Sequence, residues 1–146
     1  MKVTLIVPNY KIREKFGDPS DPPLGVASIA AVLEEQGYDV SVVDGNAENL
    51  TVSDIQTRLK MIHPDVVGIS CNYSPLHYPT LEIAALVKKE LGVPVMVGGN
   101  HATALAEYIL QGSPDIDVVV RGEGEITLPA LVQALQNGFP IREIQG

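Results

Sequence analysis

Five aliphatic runs of strand length recur along this chain, at Val3 to Val7, Val40 to Val43, Val66 to Ile69, Val95 to Val97 and Val118 to Val120, and each gives way to a longer segment of helical period. Runs that are apolar at consecutive positions suit strands buried on both faces. Parallel strands joined by right-handed helical crossovers are the arrangement that covers both. The alternation therefore predicts a doubly wound α/β domain: a five-stranded parallel sheet of order 2-1-3-4-5 with helices on both faces. Ligands of such sheets bind outside the carboxyl ends of the strands. The expected helices run about Leu24 to Gln36, Val52 to Ile62, Tyr78 to Leu91, Thr103 to Leu110 and Glu125 to Gln136, with Gly37, Gly92, Gly112 and Gly138 as C-terminal stops. Thr51-Val52-Ser53-Asp54 offers a polar start for the second helix, and His63-Pro64-Asp65 ends it, because a proline disfavours helical backbone before it.

With 146 residues the chain has the length of one domain, and with 45% hydrophobic but only 5% aromatic residues its core must be aliphatic. A net charge of −8, with no Lys/Arg cluster to offset it locally, argues against a nucleic-acid partner. No stretch approaches the ~18 apolar residues of a membrane span, and Met1 to Pro8 is too short for a signal-peptide core, so a cytoplasmic protein without a membrane partner is expected. Residues 1–138 read as the domain and 139–146 as the start of a linker to a further domain. The long connection between Pro8 and Pro23 is expected to border the site, since long loops in compact domains are usually functional or mobile.

Three strand-to-helix turns carry unusual residues: Ser70-Cys71-Asn72-Tyr73-Ser74-Pro75, Gly98-Gly99-Asn100-His101-Ala102-Thr103 and Arg121-Gly122-Glu123-Gly124-Glu125. Side-chain-free backbone at a helix start lets a bulky ligand approach closely. Small and hydroxylic loops on three neighbouring strands would line a slot for a planar group with a phosphate-bearing tail. Three familiar alternatives fail on residues. A dinucleotide site needs Gly-x-Gly-x-x-Gly after the first strand, where Pro8-Asn9-Tyr10-Lys11 stands. A receiver domain needs an aspartate at the end of strand three, occupied here by Ser70-Cys71, and no Gly-Lys-Ser/Thr phosphate loop occurs. The lone cysteine excludes an internal disulfide and any multi-cysteine metal site within the chain, and the histidine spacing defines no metal ligand set. Two other readings stay open on residues alone: a self-contained α/β enzyme using Cys71 or His101, and an interaction domain without a cofactor.

Taken together, Pro22-Pro23-Leu24-Gly25, Gly37-Tyr38-Asp39-Val40 leading to Asp44, Val67-Gly68-Ile69-Ser70, Gly98-Gly99-Asn100-His101-Ala102-Thr103 and Val119-Val120-Arg121-Gly122-Glu123-Gly124-Glu125 resemble the N-terminal cobalamin-binding domain of B12-dependent radical SAM proteins over nearly the whole chain. The resemblance implies a flavodoxin-like sheet that holds the cobalamin nucleotide tail above the strand ends. Ser70 with Cys71, Asn72, Tyr73 and Ser74 would line the benzimidazole pocket. Gly98 and Gly99 would let ribose and phosphate pass close to the backbone, with His101, Ala102 and Thr103 at the helix start behind them. Gly122, Glu123 and Gly124 would edge the tail or the ring, and Leu24 and Gly25 would border the lower side of the corrin. The first loop lacks the Asp-x-His-x-x-Gly of better-known B12 domains, since the three histidines fall at positions 63, 77 and 101, so no axial histidine is expected from it. The implied chemistry is methyl transfer or a related radical conversion. Its S-adenosylmethionine and 4Fe–4S cluster would belong to a C-terminal radical SAM domain carrying Cys-x-x-x-Cys-x-x-Cys, which this chain lacks.

Overall fold

The computed structural model describes residues 1–9, 22–141 and 144. The connection between Pro8 and Pro23, expected to border the site, falls mostly at residues 10–21, outside the described residues, as do four positions of the segment read as a linker. Five strands form one parallel sheet in the order β2-β1-β3-β4-β5: β1 Lys2–Val7, β2 Asp39–Asp44, β3 Val66–Ser70, β4 Val95–Gly98 and β5 Val118–Val119. Helices α1 Leu24–Glu35 and α6 Gly124–Asn137 cover one face. The other is covered by α2 Val52–Ile62, α3 His77–Glu90, α4 Asn100–Ala104 and α5 Ala106–Gly112. The doubly wound order 2-1-3-4-5 is the expected one.

Each face has its own aliphatic core. Val3, Leu5, Val66, Met96 and Val120 pack against Val26, Ala30 and Leu33 of α1 and Leu128, Leu131 and Val132 of α6. On the opposite face Ile6, Val67, Ile69, Val95 and Val97 meet Ile55, Leu59, Ile83, Val87 and Ile109. Alternate residues of one strand thus enter different cores, which is why the strands read as continuous apolar runs.

Helix ends follow local chemistry. Gly37, Gly92 and Gly138 have positive φ and close α1, α3 and α6. Gly112 is instead the last residue of α5, followed by Ser113 in extended backbone, so the expected stop there is corrected by one position. Backbone at Leu105 (φ −118°, ψ 25°) also breaks the single helix expected over Thr103 to Leu110 into α4 and α5. The first of these begins three residues early because Gly99 turns the chain directly off β4.

Helix α2 starts with a capping box. The Asp54 N–H donates to Thr51 Oγ at 3.2 Å, while the Thr51 N–H and hydroxyl donate to Asp54 Oδ2 at 2.8 and 2.6 Å. These bonds from Thr51, side chain first and backbone second, hold the Asp54 carboxyl below its usual range. A carboxyl depressed in the folded state adds stability that is complete above its unfolded pKa and is lost as pH falls through the folded value. Thr51→Ala is expected to cost about 1 kcal/mol at neutral pH. Urea unfolding should show this deficit shrinking in acid, below the usual carboxylate range.

Candidate functional site

At the carboxyl end of the sheet, on the α1/α6 face, lies a groove with an internal volume of about 220 Å³. Its origin is visible in the sheet register. Leu5, Gly68, Met96 and Val118 are in-register neighbours across four strands, and one step further on Ser70 pairs with Gly98. At the centre of the sheet, therefore, Gly68 and Gly98 have no side chain and Ser70 has a small one, so neither helix can close onto the strands there. Gly25, Val26 and Ile29 of α1 and Gly124 and Leu128 of α6 form the opposite wall. A Cβ on Gly124 would sit 2.7 Å from Ile29 Cδ1, so a larger residue there would have to displace the tip of the Ile29 side chain. Leu5, Met96, Val120 and Leu128 give the interior its apolar side chains, whereas Ser70, Asn72, Asn100, Glu123 and Glu125 bring polar groups to it.

The two glycines after β4 do different work. A Cβ on Gly98 would meet nothing closer than Val120 Cβ at 3.6 Å, which is ordinary contact, so the groove wall would accept a Cβ there without strain. Gly99 has φ +109°, and a Cβ there would lie 2.5 Å from Asn72 Oδ1 and 2.9 Å from the Cys71 carbonyl oxygen. That crowding comes from a clamp between two loops. Cys71 N–H donates to the Gly98 carbonyl at 2.7 Å, the N–H groups of His101 and Ala102 both donate to the Cys71 carbonyl at 3.1 and 3.2 Å, and Asn100 N–H donates to Asn72 Oδ1 at 3.2 Å. Gly98 thus faces the groove, and Gly99 is a structural position.

Of the residues singled out in the sequence, Gly25, Ser70, Asn72, Gly98, Gly99, Gly122, Glu123 and Gly124 line this groove together. Leu24 lies at the first position of α1, 74% exposed, and Tyr73 is exposed on the loop before α3. Cys71 and Ala102 are fully buried in the core of the opposite face. Ser74 and His101 form a short chain with His77: Ser74 Oγ lies 3.3 Å from His101 Nδ1, and His101 Nε2 lies 3.3 Å from His77 Nδ1. Thr103 acts from behind, its hydroxyl oxygen accepting the Gly122 N–H at 3.0 Å and so tying the β5 turn to α4.

Among the residues that reading the chain did not single out as site residues, Gly68, Val26, Ile29, Asn100, Glu125 and Leu128 also line the groove. Asn100 and Glu125 lay within the turns already quoted, and Gly68 carried a signal of its own, since a glycine inside an apolar strand often marks a close approach to the sheet. The others depend on which way each helix faces.

The arrangement does not assemble the alternative built on Cys71. Burial pushes its thiol pKa up, with only partial opposition from the Thr80 hydroxyl, so it stays protonated and out of solvent. The His101 imidazole is engaged with Ser74 and His77. Among the described residues no three His, Cys, Asp or Glu side chains converge into a metal site, and no helix is long and apolar enough to cross a membrane.

Fold and groove together define a doubly wound, ligand-holding α/β domain. Residues 20–132 match the B12 binding domain family, and the chain belongs to that family, whose cofactor is cobalamin. It is 39% identical to an uncharacterised methyltransferase of Pyrococcus horikoshii, over 100% of this chain and 32% of the relative. It is 34% identical to the anaerobic magnesium-protoporphyrin IX monomethyl ester cyclase of Rubrivivax gelatinosus, over 94% of this chain and 25% of the relative. The chain therefore spans a third or less of the length of these relatives. Among solved structures, the apo form of the cobalamin-dependent S-adenosylmethionine radical enzyme OxsB superposes with a TM-score of 0.70 at 21% identity, covering 99% of this chain and 20% of that one. At that identity the likeness establishes the shared fold.

The residues present fit part of such a cofactor. A cavity of ~150 Å³ with apolar walls is enough to hold a benzene ring. The groove here is larger, lacks side chains of its own at Gly68 and Gly98, where Leu5 Cδ2 leans over Gly68, and mixes apolar walls with polar groups. That is the character of a slot for a flat, fused heterocycle.

Proposed function

We propose that the groove receives the nucleotide tail of cobalamin, and that the chain serves as the cofactor-holding module of a longer B12-dependent radical SAM enzyme of the methyltransferase or cyclase type. The observation that carries this reading is that Ser70, Gly98 and Gly122, from three separate strand-to-helix turns, line one apolar groove on the face where the sheet lacks side chains. The names of the relatives and their greater length support a further catalytic domain beyond about residue 139. The iron–sulfur cluster and S-adenosylmethionine would reside there.

When bound, cobalamin supplies a cobalt centre able to accept and deliver a methyl group. This chain's own residues hold and orient the tail and exclude water from it. Leu5, Met96, Val120 and Leu128 provide the apolar contact, and the clamp between the β3 and β4 turns fixes the rim before the ligand arrives, lowering the ordering cost of binding. Neither His77 nor His101 lines the groove, and the first loop has no histidine, so these residues supply no axial ligand from within it. Leu24 and Gly25, at the start of α1, would border the corrin.

Equilibrium ultrafiltration with hydroxocobalamin and with cobinamide, which has the corrin but no nucleotide, tests this. Retention of cobalamin at least tenfold tighter than cobinamide is expected. Equal affinity, or no retention of either, would overturn the assignment of the groove to the tail.

A further inference from the structure

We infer that His77 and His101 form a two-nitrogen site for a divalent transition-metal cation of the zinc, nickel or copper kind, on the face of the sheet away from the groove. The two histidines stand at the starts of α3 and α4, after the β3 and β4 turns, so no spacing in the sequence announces the pair. Folding brings His101 Nε2 to 3.3 Å from His77 Nδ1, with the rings inclined at 75° and their centroids 5.4 Å apart. That separation is long for a hydrogen bond, which favours about 2.7–3.2 Å. It suits a shared metal ion. Bonds of about 2.0–2.1 Å opening at a tetrahedral angle put two ligand nitrogens about 3.3 Å apart.

A neutral imidazole offers a metal one lone pair, and the partner of its other nitrogen decides which. Ser74 Oγ, 3.3 Å from His101 Nδ1, is placed to accept the proton there, which leaves the lone pair on Nε2, the atom that faces His77. With His77 protonated on its own Nε2, its Nδ1 lone pair is available too, and two neutral rings take the cation without losing a proton. The His77 ring is already positioned, edge-on to Tyr78 with centroids 5.4 Å apart and tilted against Tyr108 at 5.9 Å, which lowers the ordering cost of binding. No thiolate or carboxylate completes the set among the described residues, so the other coordination positions fall to water and the site is exchangeable rather than closed. Imidazole donors select zinc, nickel or copper over magnesium and calcium, which require oxygen. The location gives the site a consequence. The His101 N–H donates to the Cys71 carbonyl, so a cation on its side chain would cross-link the same two turns that the clamp joins.

The test needs no corrinoid, so its outcome is independent of the groove's assignment. Tag-free protein is equilibrated with about 100 μM free Zn²⁺, and the metal retained after ultrafiltration is measured. Close to one equivalent is expected, with a rise in the melting midpoint, because only the folded chain holds the two rings together. His77→Ala and His101→Ala should each weaken Zn²⁺ affinity by roughly tenfold or more and abolish that rise. Ser74→Ala, which releases the His101 tautomer, should weaken it by about tenfold. His63→Asn, which removes the remaining histidine, should bind as wild type. Long-range ¹H–¹⁵N spectra should place Zn²⁺ on Nδ1 of His77 and Nε2 of His101, a signature that non-specific uptake lacks. Retention well below one equivalent in the wild type, or retention unchanged in His77→Ala, would overturn the inference. Should His101→Ala fail to fold, His77→Ala decides alone, since His77 is a partly exposed residue at the first position of its helix.

Discussion

Gly98→Leu is expected to weaken cobalamin binding by roughly a hundredfold or more while leaving the thermal unfolding midpoint within about 4 °C of wild type. The separation of the two effects follows from the geometry. Gly98 has no positive φ, and a Cβ built on it makes only ordinary contact with Val120. The backbone thus accepts a side chain without strain. The rest of a leucine, however, must project into a groove of about 220 Å³ and occupy the floor on which a planar ring would lie. Gly98→Ala is the graded control and should lose less than the leucine variant. Ultrafiltration with hydroxocobalamin gives the affinity, and circular dichroism melting gives the stability. A leucine variant that binds as wild type would place the ligand elsewhere.

One residue further along, the opposite outcome is expected. Gly99→Ala should destabilise the fold by about 3 kcal/mol, lowering the melting midpoint by roughly 10 °C. A φ of +109° is one that side-chain-bearing residues rarely adopt, and the new methyl would meet Asn72 Oδ1 and the Cys71 carbonyl well inside contact distance. Backbone oxygen cannot swing aside as a flexible side chain can, so the β3 and β4 turns must separate. Binding would fall too, as a consequence, because Ser70 and Asn72 would no longer be held at the groove. A Gly99→Ala protein that melts as wild type would refute the clamp. Adjacent glycines that look equivalent in sequence thus have opposite signatures, one felt in affinity and the other first in stability.

The sheet and its order were legible in the chain because the inner strands must be apolar on both faces, which writes itself as near-continuous Val/Ile runs, while the edge strand β2 is largely open to solvent. The same physics hid the site's depth. Ser70, Gly98 and Gly122 stood out as turn residues, but the groove also needs Gly68 within a strand and Ile29 and Leu128 on helices. Those helical residues look like any other core positions until the register shows that the groove opens beside them at Gly68 and Gly98. The motif around His101 was legible as a unit, yet its members part company in three dimensions. Gly98 faces the groove, Ala102 is buried in the opposite core, and His101 bonds to Ser74 and His77. A contiguous stretch that leaves a strand and enters a helix crosses from one face of the sheet to the other, so sequence adjacency overstated how much of it one ligand could touch. The break at Leu105 had no glycine or proline to announce it.

The groove's outer wall comes from α1 and α6, the first and last of the described helices, while its floor comes from the strands β1, β3 and β4. A nascent chain emerging from the ribosome therefore cannot capture its tail-bearing ligand until the region around Leu128 is free to dock. Ligand added to the finished protein would likewise stabilise the closure of the whole chain rather than any local segment.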